Sequence, residues 1–384
     1  MPYRFTQPAK TVIGEGAFEQ AAEAVASLGS RAFIVTGPHV SAQAGFGAVT
    51  QALDSRGREY HVFTGITGEP SIQMLHAGAQ AYRESGCDYI IGFGGGSQLD
   101  GAKAIAVMGT SNRDITCFVG TDIAGSFPPL ALIPTTAGTG SEATKYFCVT
   151  DDDAGVKYLL QGEQLLPRLA IVDPAFTLSA PPQVTAATGM DALTHAVEAY
   201  TSRRANPLAD MYALSAVKRI FAWLPQAYRD GSHKKARGEL ALAAYQAGIC
   251  INNASTTIVH GMSRPIGALF HVPHGLANAM LSCACLRFAL DGCCSRFAEL
   301  ARVIGAASHR TPDTQAAELF IEKLGELCRN LAIQTLSQYG VDEAAFAAQI
   351  DKMASDAAAS GSPANTIKPV SKEDMCAIYR SLWT

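Results

Sequence analysis

The chain is poor in the features that mark several protein classes. No apolar run reaches the roughly 18 residues of a membrane span, and residues 1–7 do not lead into the hydrophobic core of a signal peptide. Neither sign of charge dominates: 30 Lys and Arg face 34 Asp and Glu, for a net charge of −4. That balance gives no electrostatic case for nucleic acid or an anionic membrane surface. Charged residues make up only 17% of the chain against 48% hydrophobic, a globular rather than a disordered composition. The ten cysteines lack zinc-knuckle spacing, since Cys283, Cys285, Cys293 and Cys294 run C-x-C, seven residues, C-C. Most others stand singly in apolar surroundings, as at Cys148 and Cys250, and read as buried, reduced thiols. These features predict a cytoplasmic protein, and 384 residues suffice for two separate cores.

The two halves differ in texture. Short β-branched runs recur at 32–35, 60–63, 89–93, 130–133 and 169–172, and helical periodicity fills 42–56 and 71–85. Strand–helix alternation of this kind predicts a parallel sheet with helices on both faces, and ligands at the carboxyl ends of the strands. After Pro181-Pro182 strand signals nearly vanish, and 184–201, 208–221, 237–252, 276–290, 314–338 and 343–358 read as Ala- and Leu-rich helices. The expected architecture is an α/β domain over 1–182 and an all-helical domain over 183–384. The chemistry is expected in the cleft between them.

Residues 90–103 pass from a strand into a helix through Gly94-Gly95-Gly96-Ser97 and on to Asp100 and Lys103. Glycines there let backbone approach a pyrophosphate, and a helix N-terminus offers free N–H groups. Ser97 with Asp100 also reads as a capping box. Taken alone, the string is equally a tight strand–helix turn. A second loop, Thr135-Thr136-Ala-Gly138-Thr139-Gly140-Ser141-Glu142, follows the strand at 130–133 and offers hydroxyls for ribose and phosphate. In isolation Lys157 is a solvated surface lysine.

Asp191 and His195 lie four residues apart, on one face of the helix predicted there. A carboxylate and an imidazole so placed make half of a divalent metal site, of a donor type suited to iron or zinc. His260 and His274, the latter within Pro273-His274-Gly275, complete a set of one Asp and three His. Any one of these residues alone would be read as a hydrogen-bonded core residue. Glu198, one turn past His195, is either an orienter of a ligand imidazole or part of a salt-bridged surface.

Together these strings resemble the iron-containing (group III) alcohol dehydrogenases. Gly94 to Lys103 is similar to that family's G-G-G-S-x-x-D-x-x-K, and Thr135 to Glu142 to its T-T-x-G-T-G-S-E. The resemblance runs over most of the chain. It implies an α/β Rossmann-like dinucleotide-binding domain followed by an all-α metal-binding domain, in a dehydroquinate synthase-like architecture. It implies hydride transfer between NAD or NADP and a small alcohol or aldehyde, and a homodimer in which residues 1–5 form an edge strand. The implied ligands of Fe2+ or Zn2+ are Asp191, His195, His260 and His274. The implied cofactor contacts are Gly37, Gly94, Gly95, Gly96, Ser97, Asp100, Thr135, Thr136, Thr139, Lys157 and Leu178.

Three positions depart from the family pattern. Gly37 replaces the aspartate by which NAD-preferring members repel a 2′-phosphate, which, with His39 nearby, opens the site to NADP. Glu69-Pro70 stands for Asn-Pro. Arg264 occupies the place of a second histidine, four residues after His260, that takes part in proton relay. An arginine cannot act as a neutral base. Three readings follow: Arg264 clamps an acidic substrate such as a hydroxy acid or semialdehyde, His271 takes over the relay, or Arg264 is structural. Tyr146, Phe147, Ile251 and Phe270 are the expected pocket residues, with Ile251 in place of a larger aromatic in some relatives. A dehydroquinate synthase-like NAD/metal lyase is the alternative, and a silent nucleotide-binding protein a third.

Overall fold

The computed structural model describes residues 3–111 and 113–383. It divides into two compact units, Gln7–Ala180, and Pro181–Thr384 with Met1–Thr6. The strands of the first unit are β1 (Thr11–Ile13), β2 (Arg31–Val35), β3 (Glu59–Phe63), β4 (Tyr89–Gly94), β5 (Leu130–Pro134), β6 (Tyr146–Asp151), β7 (Val156–Gln161) and β8 (Leu169–Val172). Six of them pair in parallel in the order β1-β8-β5-β4-β2-β3, and β6 with β7 makes a separate antiparallel hairpin. Each of the five β-branched runs expected as strands is one, as β2, β3, β4, β5 and β8. Three-residue β1 is too short to show a period, and β6 and β7 pair only with each other in a hairpin apart from the parallel sheet.

Strand alternation places two cores on the two faces of the sheet. Phe33, Val35, Ile90 and Leu132 pack on one side with the helices Ile72–Ser85 and Gly96–Thr110. Ile34, Ile91, Phe93 and Ile133 pack on the other with Ala17–Ala26 and Ala44–Asp54. The chain adds β3 to one side of β2 and then returns β4 to the other. That reversal is the switch point where open α/β sheets bind ligands.

The second unit is helical. Its helices include Pro182–Tyr200, Pro207–Arg229, Lys234–Ala254, Ile258–Phe270, His274–Leu290, Cys294–Val303, Asp313–Asn330, Glu343–Ala359 and Lys372–Ser381. Two boundaries differ from expectation. The second helix runs on through Pro225 because Leu224 and Ala227 continue its buried stripe. The predicted helix at 314–338 stops at Asn330, where Ala332 takes a left-handed φ of 50°, and a short helix Leu336–Tyr339 restarts under a Thr335–Gln338 capping box.

Residues 3–5 pair with no strand of their own chain, and Met1 and Pro2 lie outside the described residues. Phe5 stacks on Tyr212, the Thr6 amide donates to Asn253 Oδ1 at 2.7 Å, and Asn252 Nδ2 donates to the Thr6 carbonyl at 2.9 Å. These partners hold the segment to the helices Pro207–Arg229 and Lys234–Ala254. Among the described residues no helix is long and apolar enough to cross a membrane.

Candidate functional site

In the α/β unit, eight of the eleven residues implicated in cofactor binding follow the carboxyl ends of β2, β4 and β5, while Asp100 lies in the helix Gly96–Thr110, Lys157 on β7 and Leu178 after Pro174–Thr177. Gly37 follows β2, Gly94 to Ser97 follow β4, and Thr135, Thr136 and Thr139 follow β5. Gly94 has φ of 154°, which only glycine adopts readily. The helix starts at Gly96, with Gln98 Oε1 accepting the Gly95 amide at 3.0 Å. This corrects the capping-box reading. Ser97 lies inside the first turn, and Asp100 turns away to accept from Ser141 Oγ (2.6 Å) and the Cys148 amide (2.8 Å). Gly37 is tightly enclosed: a Cβ there would meet Gln98 Nε2 and the Ile66 carbonyl, each at 2.9 Å. Any side chain at position 37 would have to displace Gln98 and the Ile66 backbone. Leu178 follows the short turn Pro174–Thr177 and is half-buried.

Lys103 is a residue whose part the sequence did not reveal. Its buried ammonium donates to the carbonyls of Ser141 (2.7 Å), Thr144 (2.8 Å) and Tyr146 (2.7 Å), and to the hydroxyls of Ser141 and Thr144. It therefore fastens the Thr/Gly loop to the helix behind the Gly-rich turn. Lys157 is not a solvated lysine. Its side chain is 5% exposed and pairs with Glu69 at 2.8 Å, so the acidic replacement at 69 has a basic partner in the same chain. Phe147 is buried in the core cluster on one face of the sheet. Tyr146, beside it, is half-buried.

In the helical unit, Asp191, His195 and Glu198 share one buried face of the helix Pro182–Tyr200. His260 projects from the first turn of Ile258–Phe270, and His274 begins the next helix. Gly275 permits the approach, since a Cβ would lie 2.5 Å from the Ala187 carbonyl. Asp191 Oδ1 stands 3.9 Å from His195 Nε2, 3.5 Å from His260 Nε2 and 3.8 Å from His274 Nε2. One donor atom each from Asp191, His195 and His260 lies within 4.8 Å of the other two. Donors bonded to one ion at about 2.1 Å in a tetrahedron are about 3.4 Å apart. The carboxylate and the imidazoles therefore fit a single divalent ion.

Glu198 sets the orientation of His260. Its fully buried carboxylate accepts from Thr257 Oγ1 (2.7 Å) and the Val259 amide (2.6 Å) through Oε1, and meets His260 Nδ1 at 2.5 Å through Oε2. With the proton on Nδ1, the Nε2 lone pair is left facing Asp191. Burial works against the charge of Glu198, but the His260 ring and Thr257 outweigh it and hold the carboxyl below its usual range. For Asp191 burial is likewise outweighed, by His195, His274 and His260. Both carboxylates thus stay anionic at neutral pH, as ion binding requires.

Asn278 is the group here that the sequence reading missed. One turn past His274 and fully buried, it donates from Nδ2 to Asp191 Oδ1 at 2.7 Å, with His260 Nε2 at 3.1 Å and His274 Nε2 at 3.3 Å. The signal was its spacing of four from His274, which puts it on the same helical face. It acts as a positioning residue on the Asp191 carboxylate. Asn278→Ala is expected to weaken metal retention by about 10- to 100-fold, measured by competition with a chelator. Unchanged retention would show that the amide only fills space.

Arg264 is buried, and its Nη1 donates to Ser362 Oγ at 2.8 Å, which ties the helix Ile258–Phe270 to the turn Pro363–Asn365. His271 ends that helix, exposed, with φ of 53°. Ile251 is buried, and the Phe270 ring packs on Phe346 at 5.4 Å. Cys87, Cys250, Cys285, Cys293 and Cys376 are buried as expected, whereas Cys117 is exposed and the remaining four are half-buried; all ten are free thiols.

Comparison with known proteins agrees with this geometry. Residues 8–174 match the iron-containing alcohol dehydrogenase family and residues 185–383 its C-terminal region. The chain is 33% identical over 344 residues to choline dehydrogenase of Bacillus subtilis (strain 168), covering 88% of this chain and 86% of that one. The crystal structure of a 1,3-propanediol oxidoreductase superposes with a TM-score of 0.95 at 32% identity, covering all of both chains. Sulfoacetaldehyde reductase from Bifidobacterium kashiwanohense, solved with NAD+, superposes with a TM-score of 0.86 at 26% identity over 100% of this chain and 99% of that one. The chain belongs to the iron-containing alcohol dehydrogenase family.

Proposed function

We propose that this oxidoreductase transfers a hydride between NAD or NADP and a small alcohol or aldehyde, with Fe2+ or Zn2+ held by Asp191, His195, His260 and His274. The observation that carries the reading is the buried convergence of Asp191, His195 and His260 on one point. A divalent ion bound there would act as a Lewis acid toward the alcohol or carbonyl oxygen. The chain's own part is to keep two carboxylates charged, to aim His260 through Glu198, and to exclude bulk water from the ligands. Gly94, Gly95, Gly96 and Ser97 take the pyrophosphate at a helix N-terminus. Asp100, Thr135, Thr136, Thr139, Lys157 and Leu178 are assigned to the rest of the nucleotide. The enclosure of Gly37, which leaves no room for an acidic side chain, supports acceptance of NADP as well as NAD.

Substrate charge is not fixed by likeness: choline is a cation, propanediol is neutral and sulfoacetaldehyde is an anion, and relatives named for each lie at 26–33% identity. Arg264 and His271 are the groups proposed to act on the substrate side. The family match disfavours the lyase alternative. The test is turnover of neutral and acidic alcohols and aldehydes with both nucleotides, comparing metal-free protein with protein loaded with Fe2+ or Zn2+. Metal-dependent turnover is expected. Preference for acidic substrates, lost in Arg264→His, makes Arg264 the clamp; turnover indifferent to that change makes it structural through Ser362. No hydride transfer by loaded protein with either nucleotide rejects the reading.

A further inference from the structure

The carboxyl ends of β2 and β4 emerge side by side, because the two strands pair in parallel with Val35 opposite Gly92. Gly37 follows the first, and Gln98 stands in the first turn of the helix that follows the second. Gln98 ties these segments together. Its Oε1 accepts the Gly95 amide at 3.0 Å, and its Nε2 donates to the Ile66 carbonyl, 32 residues earlier, at 3.0 Å. The two partners fix which way the carboxamide points, since an amide N–H needs the oxygen and a carbonyl needs the nitrogen. Ile66 is fully buried and packs on Gly101, where a Cβ would meet its Cγ1 at 3.0 Å. The amide nitrogen covers Gly37, for a Cβ there would lie 2.9 Å from it. Nε2 carries two hydrogens. One goes to Ile66, and the other meets no acceptor among the described residues.

We propose that Gln98 is a specificity-determining residue for the nucleotide: its carboxamide presents a neutral N–H donor over Gly37 and so admits a nucleotide that carries a 2′-phosphate. In the nucleotide site proposed above, on which this assignment rests, the pyrophosphate lies at the helix N-terminus and the adenosine ribose reaches the end of the adjacent strand. A carboxylate at that strand end accepts from the ribose 2′-hydroxyl and repels a 2′-phosphate. A carboxamide N–H reverses the preference. It donates to either oxygen, and the bond is stronger where the acceptor is a charged phosphate.

Position 37 has no side chain to make this contact, and the space that one would need is filled by Gln98 and the Ile66 carbonyl. The carboxamide therefore stands where the side chain of residue 37 would stand. Both of its partners are uncharged backbone groups, so it brings no negative charge to the strand end.

Titration of the full-length, zinc-loaded protein with NADH and NADPH, followed by nucleotide fluorescence, tests the assignment. Wild type is expected to bind NADPH at least as tightly as NADH. Gln98→Glu keeps the side-chain length and an acceptor for the Gly95 amide but adds a negative charge, and should weaken NADPH about 100-fold more than NADH. Gln98→Met removes the amide without adding charge, and should weaken NADPH about fivefold more than NADH. Loss of a brace alone would weaken both nucleotides alike, so the ratio of the two dissociation constants separates the roles. Gly95→Val locates the nucleotide: a Cβ at Gly95 meets nothing closer than 3.5 Å, so the variant should fold, shown by circular dichroism, yet bind neither nucleotide. A wild-type ratio retained in Gln98→Glu, or a wild type that binds NADH and excludes NADPH, would overturn the proposal. Undiminished binding of both nucleotides by Gly95→Val, or no binding by wild type, would remove the site reading and the proposal together.

Discussion

Asp191→Asn is expected to yield a folded protein that retains neither iron nor zinc and turns over at least about a thousandfold more slowly. The magnitude follows from losing several kcal/mol of metal-supplied charge stabilisation, each 1.4 kcal/mol being about tenfold in rate. Asparagine keeps the size of the side chain and a hydrogen-bond acceptor for Asn278, so packing should survive. What disappears is the negative charge that faces His195, His260 and His274. Metal content by atomic emission, circular dichroism and nucleotide binding separate the possibilities. Folded protein that still binds nucleotide, without metal or turnover, is the expected result. A variant with full metal content and wild-type turnover would remove Asp191 from the ligand set.

The second large effect is one of stability. Lys103→Met should destabilise the chain by about 3–5 kcal/mol, because it removes one partner from a fully buried charged network. The Ser141, Thr144 and Tyr146 carbonyls lose their common donor, and the Asp100 carboxylate, which accepts from Ser141, loses the cation that most favours its charge. The sign with pH follows from the same burial, which draws the Lys103 ammonium down to about 8 although Asp100 and Glu142 support it. Between about 8 and 10.5 the unfolded chain holds this proton and the folded chain does not, so folding gains as pH rises through that window. The gap between wild type and Lys103→Met should therefore widen from pH 8 upward. Urea unfolding at several pH values measures it, and coincident midpoints for the two proteins would refute the assignment. The nucleotide KM should rise as well, because the freed segment is the Thr/Gly loop.

Much of the fold was legible because it rests on local pattern. The β-branched runs at 32–35, 89–93 and 130–133 became β2, β4 and β5, whose side chains alternate between two cores. The helical texture after Pro181-Pro182 became the helical unit, since an apolar stripe of helical period needs only a neighbour to bury it. Pattern gave out where partners distant in sequence decide. Thr6 bonds to Asn252 and Asn253, about 250 residues on, which no local pattern announces. The helix expected to reach 338 ends at Asn330 in a left-handed turn at Ala332.

The same division runs through the candidate site. By itself the sequence determined which donors are available: Asp191 and His195 on one helical face, His260 and His274 downstream, and glycines after the strand ending at Gly94. Those follow from residue type and spacing, which are properties of the chain. Only the tertiary structure decided that Asn278 donates to Asp191, that Glu198 aims His260, that Glu69 pairs with Lys157, and that Lys103 fastens a loop about 40 residues away. Each is a contact between buried polar groups on different elements. A sequence shows that a polar residue will be buried, because its neighbours are apolar; which partner satisfies it depends on how the helices and strands pack.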